Sequence, residues 1–157
     1  MIDLRYVKKL IEIIDESTVD SIEITSDKGM KIRISKSPQQ REVYEVVRVA
    51  NENAAKGVRA GMTGRDADAI ARDYIEQRGY GDLFGHSLGH GLGLEVHEAP
   101  RLARTADGAL AEGAVVTIEP GIYRPGWGGV RIEDDVFLGP TGPKILTAFT
   151  HELIELG

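Results

Sequence analysis

The sequence predicts an α+β fold: helices packed on a mainly antiparallel sheet, preceded by a short helix and a β-hairpin. Two observations lead there. Apolar residues recur at helical spacing over residues 3–16, 40–56 and again after Thr63, whereas period-two alternation dominates after Ala114. The order of the larger part is therefore helix, helix, then several strands, which is the order of helices layered on an antiparallel sheet.

Each element has a local reason. In residues 3–16, Leu4, Val7, Leu10, Ile11 and Ile14 form one apolar face, and Lys8, Lys9, Glu12, Asp15 and Glu16 cover the other. Ser21-Ile-Glu-Ile-Thr25 and Met30-Lys-Ile-Arg-Ile-Ser35 alternate around the turn Ser26-Asp-Lys-Gly29, which predicts a hairpin with Ile22, Ile24, Met30, Ile32 and Ile34 on one face. From Gln40 to about Lys56 a helix turns Val43, Tyr44, Val46, Val47, Ala50 and Ala54 inward, and Arg59-Ala-Gly61 ends it. Thr63 and Asp66 have capping-box spacing, Ala67, Ile70, Ala71, Tyr74 and Ile75 make the next stripe, and Gly79 suits its C-terminal cap. Phe84 to Glu98 reads as strand and turn pieces, and Ala99-Pro100 leads into a loop through Asp107-Gly108. Ala114 to Glu119 reads as a strand stopped by Pro120-Gly121. Gly128-Gly129 opens a strand running through Val130 to Leu138, and Ile145 to Leu156 closes with a short strand and a helical tail.

Composition narrows the function classes. The chain has 157 residues and no cysteine, so disulfides and thiolate metal sites are excluded, and any metal must sit on His, Asp or Glu. A net charge of −6 argues against nucleic acid as the main partner. No apolar run reaches the ~20 residues of a membrane span, and charges interrupt Met1 to Glu16 where a signal peptide would be apolar, so a cytoplasmic location is expected. All four histidines and 18 of the 19 glycines lie after residue 40. That shift, with Ser37-Pro-Gln-Gln40 at the junction, divides the chain into residues 1–36, a linker at 37–40, and residues 41–157.

The chemistry concentrates in Phe84-Gly-His-Ser-Leu-Gly-His-Gly-Leu-Gly-Leu-Glu-Val-His-Glu98, which holds His86, His90 and His97. Neutral imidazoles are common metal ligands and general bases, and glycines let backbone approach closely. The plainer reading is a glycine-rich loop with incidental histidines. Alternation puts Thr117 and Glu119 on one face of their strand, opposite Val116 and Ile118, and puts Arg131 and Glu133 on one face of the next, opposite Val130 and Ile132. An exposed polar sheet face would explain one such glutamate. Two glutamates together with a His-rich strand make a set of nitrogen and oxygen donors.

Two resemblances follow. Asp3-Leu-Arg-Tyr-Val-Lys-Lys-Leu-Ile-Glu-Ile-Ile-Asp-Glu-Ser17, Ile22-Glu-Ile24 and Ile32-Arg-Ile-Ser35 resemble the N-terminal segment of the bacterial biotin carboxyl carrier protein of acetyl-CoA carboxylase. The biotin-accepting lysine between methionines is absent, since Ile32 follows Met30-Lys31, so no biotin is expected. Residues 41–157 are similar to the C-terminal half of the pita-bread-fold metallopeptidases, and most similar to Xaa-Pro dipeptidases and aminopeptidase P. The strings that carry this are Gly79-Tyr-Gly81, Phe84 to Glu98, Val116-Thr-Ile-Glu-Pro-Gly-Ile-Tyr123 and Gly128-Gly-Val-Arg-Ile-Glu-Asp134.

That second resemblance implies half of a pita-bread fold, a divalent metal (manganese or cobalt foremost, zinc or iron as alternatives) and short peptides with proline as second residue. It implies His90, Glu119 and Glu133 as metal ligands, with Glu133 bridging. It assigns His97 to the developing oxyanion, His86 to the substrate end near the proline, and Arg131 to orienting these groups. The family's first half supplies two further aspartate ligands from a hairpin. Here Asp20 and Asp27 do not match that pattern, and Arg33 stands nearest the second ligand's place. The expectation is therefore a chimeric, truncated metallopeptidase with impaired or absent hydrolysis. A non-catalytic peptide-binding module and a carboxylase-associated assembly piece are the alternatives, and the sequence leaves both monomer and homodimer open.

Overall fold

The computed structural model describes residues 8–9, 11–13, 21–25, 31–35 and 37–154. The chain forms two compact units, Met1–Glu42 and Val43–Gly157. In the first, residues 8–9 and 11–13 are helical. The remainder of the helix expected over 3–16, the turn Ser26 to Gly29, and Met30 lie outside the described residues. Strands β1 (Ser21–Thr25) and β2 (Lys31–Ser35) pair antiparallel, with Ile22 opposite Ile34 and Ile24 opposite Ile32, as alternation predicts.

Residues 37–40, expected as a linker, are instead the first turn of helix α1 (Ser37–Gly57). Pro38 is compatible with this, because the first helical N–H groups have no intrahelical partner to lose. From Val43 onward α1 belongs to the second unit. Helix α2 (Gly64–Gln77) starts as predicted: the Asp66 backbone N–H donates to Thr63 Oγ1 at 3.0 Å, and Gly79 (φ 82°) follows its C-terminal end. A 3-10 turn at Gly81–Leu83 leads to the strands.

Those are β3 (Gly89–Gly91), β4 (Glu98–Leu102), β5 (Val115–Ile118), β6 (Gly121–Arg124), β7 (Gly128–Arg131), β8 (Asp134–Gly139) and β9 (Gly142–Ile145). Five of them form one antiparallel sheet in the order β4-β3-β5-β8-β9, and β6 pairs with β7 in a separate ribbon. The core lies between helices and sheet. Val47, Ala50, Ala54 and Val58 of α1 and the adjoining turn, and Ala67, Ala71 and Ile75 of α2, are fully buried with Val116, Ile118, Val136 and Leu138.

Four expectations change. The run from Val130 to Leu138 is two strands, because the chain leaves the β6–β7 ribbon at Ile132 and enters the large sheet at Asp134. Pro120-Gly121 interrupts a strand and does not end the pairing, since β6 resumes at once. The segment after Ala99-Pro100 is still strand: β4 lies at the sheet edge, where a proline removes no necessary ladder donor. No helix occurs among the described residues 146–154. Their polar groups are engaged elsewhere: Leu146 N–H donates to Asp135 O at 2.8 Å, Thr147 Oγ1 accepts from Asp135 N–H at 2.9 Å, and the Tyr44 hydroxyl donates to His151 O at 3.0 Å. Among the described residues, no helix is long and apolar enough to cross a membrane.

One detail of register positions the site. Ile118 pairs with Asp134 and Gly121 pairs with Arg131, so the same antiparallel register holds on both sides of a two-residue gap. Within that gap Glu119 and Glu133 take opposed positions. Loss of the α2 cap by Thr63→Ala should lower unfolding free energy by about 1 kcal/mol, measured by urea denaturation, with the proposed site left intact.

Candidate metal centre

A buried ion pair on α2 holds the loop that carries the first histidine. Asp68 (1% exposed) and Arg72 (6%) stand one turn apart, with Arg72 Nε 2.5 Å from Asp68 Oδ2 and Nη2 2.9 Å from Oδ1. Arg72 also donates to the carbonyls of Phe84 (3.0 Å) and His86 (2.7 Å), and its guanidinium stacks 4.1 Å over the Phe84 ring. Asp68 Oδ1 accepts the Leu88 N–H at 2.9 Å. Residues 84–88 are thereby fixed by charge-assisted bonds in a dry setting, where such bonds are strong.

Next to this clamp, β3 approaches β5 on one side and β4 on the other unusually closely. A Cβ at Gly89 would fall 1.8 Å from Thr117 O, and one at Gly91 would fall 2.2 Å from Ala99 O, so only glycine permits these contacts. The approach brings the His90 N–H within 3.1 Å of Thr117 Oγ1, whose hydroxyl donates to Glu119 Oε1 at 3.0 Å. His90 Nδ1 lies 3.0 Å from Gly91 O, which makes it the donor nitrogen. Its Nε2 faces Glu119 Oε1 at 3.2 Å. An imidazole lone pair against a carboxylate oxygen needs a proton or a cation between them.

Glu133 reaches the group through charge. Arg131 Nε lies 3.9 Å from Glu119 Oε2 and 3.7 Å from Glu133 Oε2. The Arg131 guanidinium is held in its charged form first by the Tyr123 side chain and further by Glu133 and Glu119, against the opposing effect of burial. Partial burial pushes the Glu133 carboxyl above its ordinary range, and the neighbouring Glu119 charge adds to this, while Arg131 offsets part of it.

Two more histidines complete the surroundings. His97 sits on the exposed turn after β3, with its ring centroid 4.4 Å from that of His90. His86 points its Nδ1 at Ser87 O (2.8 Å) and its Nε2 at the Tyr123 hydroxyl (3.0 Å). An open cavity of ≈ 450 Å³, walled by Arg72, Phe84, His86, Ser87, Arg104 and Thr105, adjoins His86.

Of the six residues singled out in the sequence, His90 and Glu119 are in direct contact, His97 packs against His90 with its ring tilted, and Arg131 lies near both Glu119 and Glu133. His86 stands apart with Tyr123. Among the described residues, no three His, Asp or Glu side chains are close enough together to hold a metal ion, so the expected set His90, Glu119 and Glu133 is not assembled as a triad. The donor chemistry nevertheless fits one divalent cation. A bare imidazole nitrogen faces one carboxylate, and a second carboxylate takes the opposed ladder position, where like charges repel unless a cation lies between them.

Sequence reasoning missed Asn51, Asp68, Arg72 and Tyr123. Asp68 and Arg72 carry an i,i+4 acid–base signal, and Asn51 is a polar residue on the apolar stripe of α1. It had placed Thr117 beside Glu119 but not recognised it as a bridge to His90. Asp134 (1% exposed), next to Glu133, faces away from the group and lies 3.3 Å from His151 Nε2.

Helices on an antiparallel sheet, with a glycine-flanked histidine strand beside two opposed carboxylates, define half of a pita-bread metallopeptidase. The profile of metallopeptidase family M24 matches residues 20–140, and the chain belongs to that family. It is 51% identical over 120 residues to an Xaa-Pro dipeptidase of Pyrococcus furiosus, covering 76% of this chain and 34% of the relative. The same identity and coverage relate it to the uncharacterized peptidase YqhT of Bacillus subtilis. Among solved structures, the Xaa-Pro dipeptidase from Bacillus anthracis superposes with a TM-score of 0.75 at 50% identity, covering 80% of this chain and 36% of that one. The prolidase from Pyrococcus horikoshii OT3 covers 96% of this chain and 54% of its own, with a TM-score of 0.73 at 36% identity. The chain thus spans about a third of the length of the curated relatives it matches.

Two outcomes follow from this geometry. Arg72→Leu strands the buried Asp68 carboxylate and should cost about 3 kcal/mol or more by denaturant unfolding. A raised folded-state pKa means that Glu133 favours folding below its unfolded value, and that this contribution is lost as pH rises through its folded value. In chelator-treated protein, Glu133→Gln should therefore gain in melting temperature relative to the unmodified chain between pH 4 and pH 7. A difference that stays flat or falls contradicts the assignment.

Proposed function

We propose that this chain carries one half of a proline-specific peptidase centre, with His90, Glu119 and Glu133 as ligands of a divalent cation, manganese or cobalt foremost. The observation that carries this reading is the meeting of His90 Nε2 with Glu119 across 3.2 Å, beside a second carboxylate in the opposed ladder position. A cation held there would lower the pKa of a bound water and polarise a peptide carbonyl.

The chain's own residues have distinct tasks in this reading. Thr117 holds one lone pair of Glu119 Oε1, which leaves the rest of that carboxylate free to coordinate. His97, whose tilted ring lies against that of His90, would donate to the carbonyl oxygen as negative charge develops on it. His86, oriented by Tyr123 and Ser87 O, contacts the proline end of a short Xaa-Pro peptide. Arg131 steadies both carboxylates and supplies positive charge beside them.

Hydrolysis is expected to be weak. Three donors suit one ion better than two, because neighbouring cations need bridging carboxylates to offset their repulsion. The position of Arg131 between Glu119 and Glu133 favours the same conclusion, and it gives a non-catalytic peptide-binding module some weight as the second reading.

The test combines Mn(II) or Co(II) titration by calorimetry with an assay of proline release from an Xaa-Pro dipeptide. Binding of about one ion, lost in His90→Ala and Glu119→Gln, with slow metal-dependent turnover, is the expected result. Efficient turnover would overturn the impairment, and absence of metal binding would overturn the site.

A further inference from the structure

We propose that Asn51 is a positioning residue that sets the spacing between Glu119 and Glu133. The proposal rests on the reading of those carboxylates as ligands of a shared cation.

Asn51 lies on α1, is fully buried, and occupies a place on a helical face otherwise taken by Val47, Ala50 and Ala54. Its Nδ2 donates to Ile118 O at 2.9 Å and to Ile132 O at 3.2 Å, across 67 and 81 residues of sequence. Ile118 immediately precedes Glu119, and Ile132 immediately precedes Glu133. One amide group therefore holds the backbone directly upstream of both carboxylates.

The location matters because one ladder donor is missing there, at Pro120. Register is the same on both sides of the gap, Ile118 with Asp134 and Gly121 with Arg131. Inside the gap Ile132 N–H reaches Pro120 O at 3.4 Å, so one cross-strand bond persists. No backbone donor can return to Ile132 O, because proline has no N–H, and the strand pair beside Glu119 and Glu133 is tied on one side only. The Asn51 amide enters from the helix side and takes both carbonyls at once.

The arrangement of the amide itself argues against simple packing. Asn51 Oδ1 is buried without a partner. An apolar residue would avoid that cost, so the presence of an amide is explained by its two donor bonds. Both are spent on the same pair of ligand-bearing segments.

The experiment uses the full chain and Co(II), whose visible d–d absorption reports both occupancy and ligand geometry. Asn51→Leu keeps the side-chain volume close and removes both donors. It should keep its far-UV circular dichroism, weaken Co(II) binding at least tenfold, and shift or broaden the d–d band. Asn51→Thr, which retains one hydroxyl donor, should fall between, and it carries the test if the leucine variant does not fold. Ile75→Val, a core change on α2 and not on α1, serves as the stability control and should leave the band unchanged.

Equal affinity and an unchanged spectrum in a folded Asn51 variant would overturn the positioning role while leaving the cation site standing. A band shift of the same kind in Ile75→Val would reduce Asn51 to general packing and overturn the proposal. Failure of the unmodified chain to take up Co(II) would overturn the site reading itself, and with it the role of Asn51.

Discussion

Two carboxylates in opposed positions of one antiparallel register repel each other, and the second unit is organised around containing that repulsion. Arg131 offsets part of it from the exposed side. Thr117 fixes one oxygen of Glu119, and His90 brings a nitrogen to the same oxygen. Partial burial raises the Glu133 pKa, so the carboxyl gives up part of its charge more readily than a solvated one would. A protein selected only for stability would replace such a pair with neutral residues. Glu119 against an imidazole, with Glu133 opposite it, is the arrangement that the proposed cation site would use.

The supports for this group come from different directions and differ in strength. The Asp68–Arg72 pair is almost fully buried and fixes the loop at 84–88 through three backbone groups. The Arg131 contacts are long and half exposed, so screening by water and salt weakens them. The site thus has a rigid wall on the α2 side and a softer one on the β6–β7 side.

Much of the fold was legible because its signals are local. The α2 stripe, the Thr63 cap, the β1–β2 register and the strand containing Val116 and Ile118 follow from spacing and turn chemistry alone. That Glu119 and His90 belong to one group was legible through alternation and family motifs. What stayed hidden was set by distant contacts. β6 and β7 form a separate ribbon although the register runs on through Pro120 and Ile132, and Pro120 announces an interruption without saying that pairing resumes beyond it. The tail beyond Ile145 has enough apolar residues for a helix, yet its polar groups are taken by β8 and α1. Asn51 has both acceptors more than sixty residues away, so nothing local marks it as more than a polar residue on an apolar face.

Asp134 gives the tail a reach beyond its own surface. Its neighbour Glu133 turns toward the carboxylate group, while Asp134 turns inward to His151, whose carbonyl is tied in turn to Tyr44. A single peptide unit thus separates the proposed site from the last described stretch of the chain. Proteolytic clipping between Thr147 and His151 would leave every proposed ligand covalently in place, yet strip a buried acid of its imidazole. The damage would surface one residue away, in the aim of Glu133.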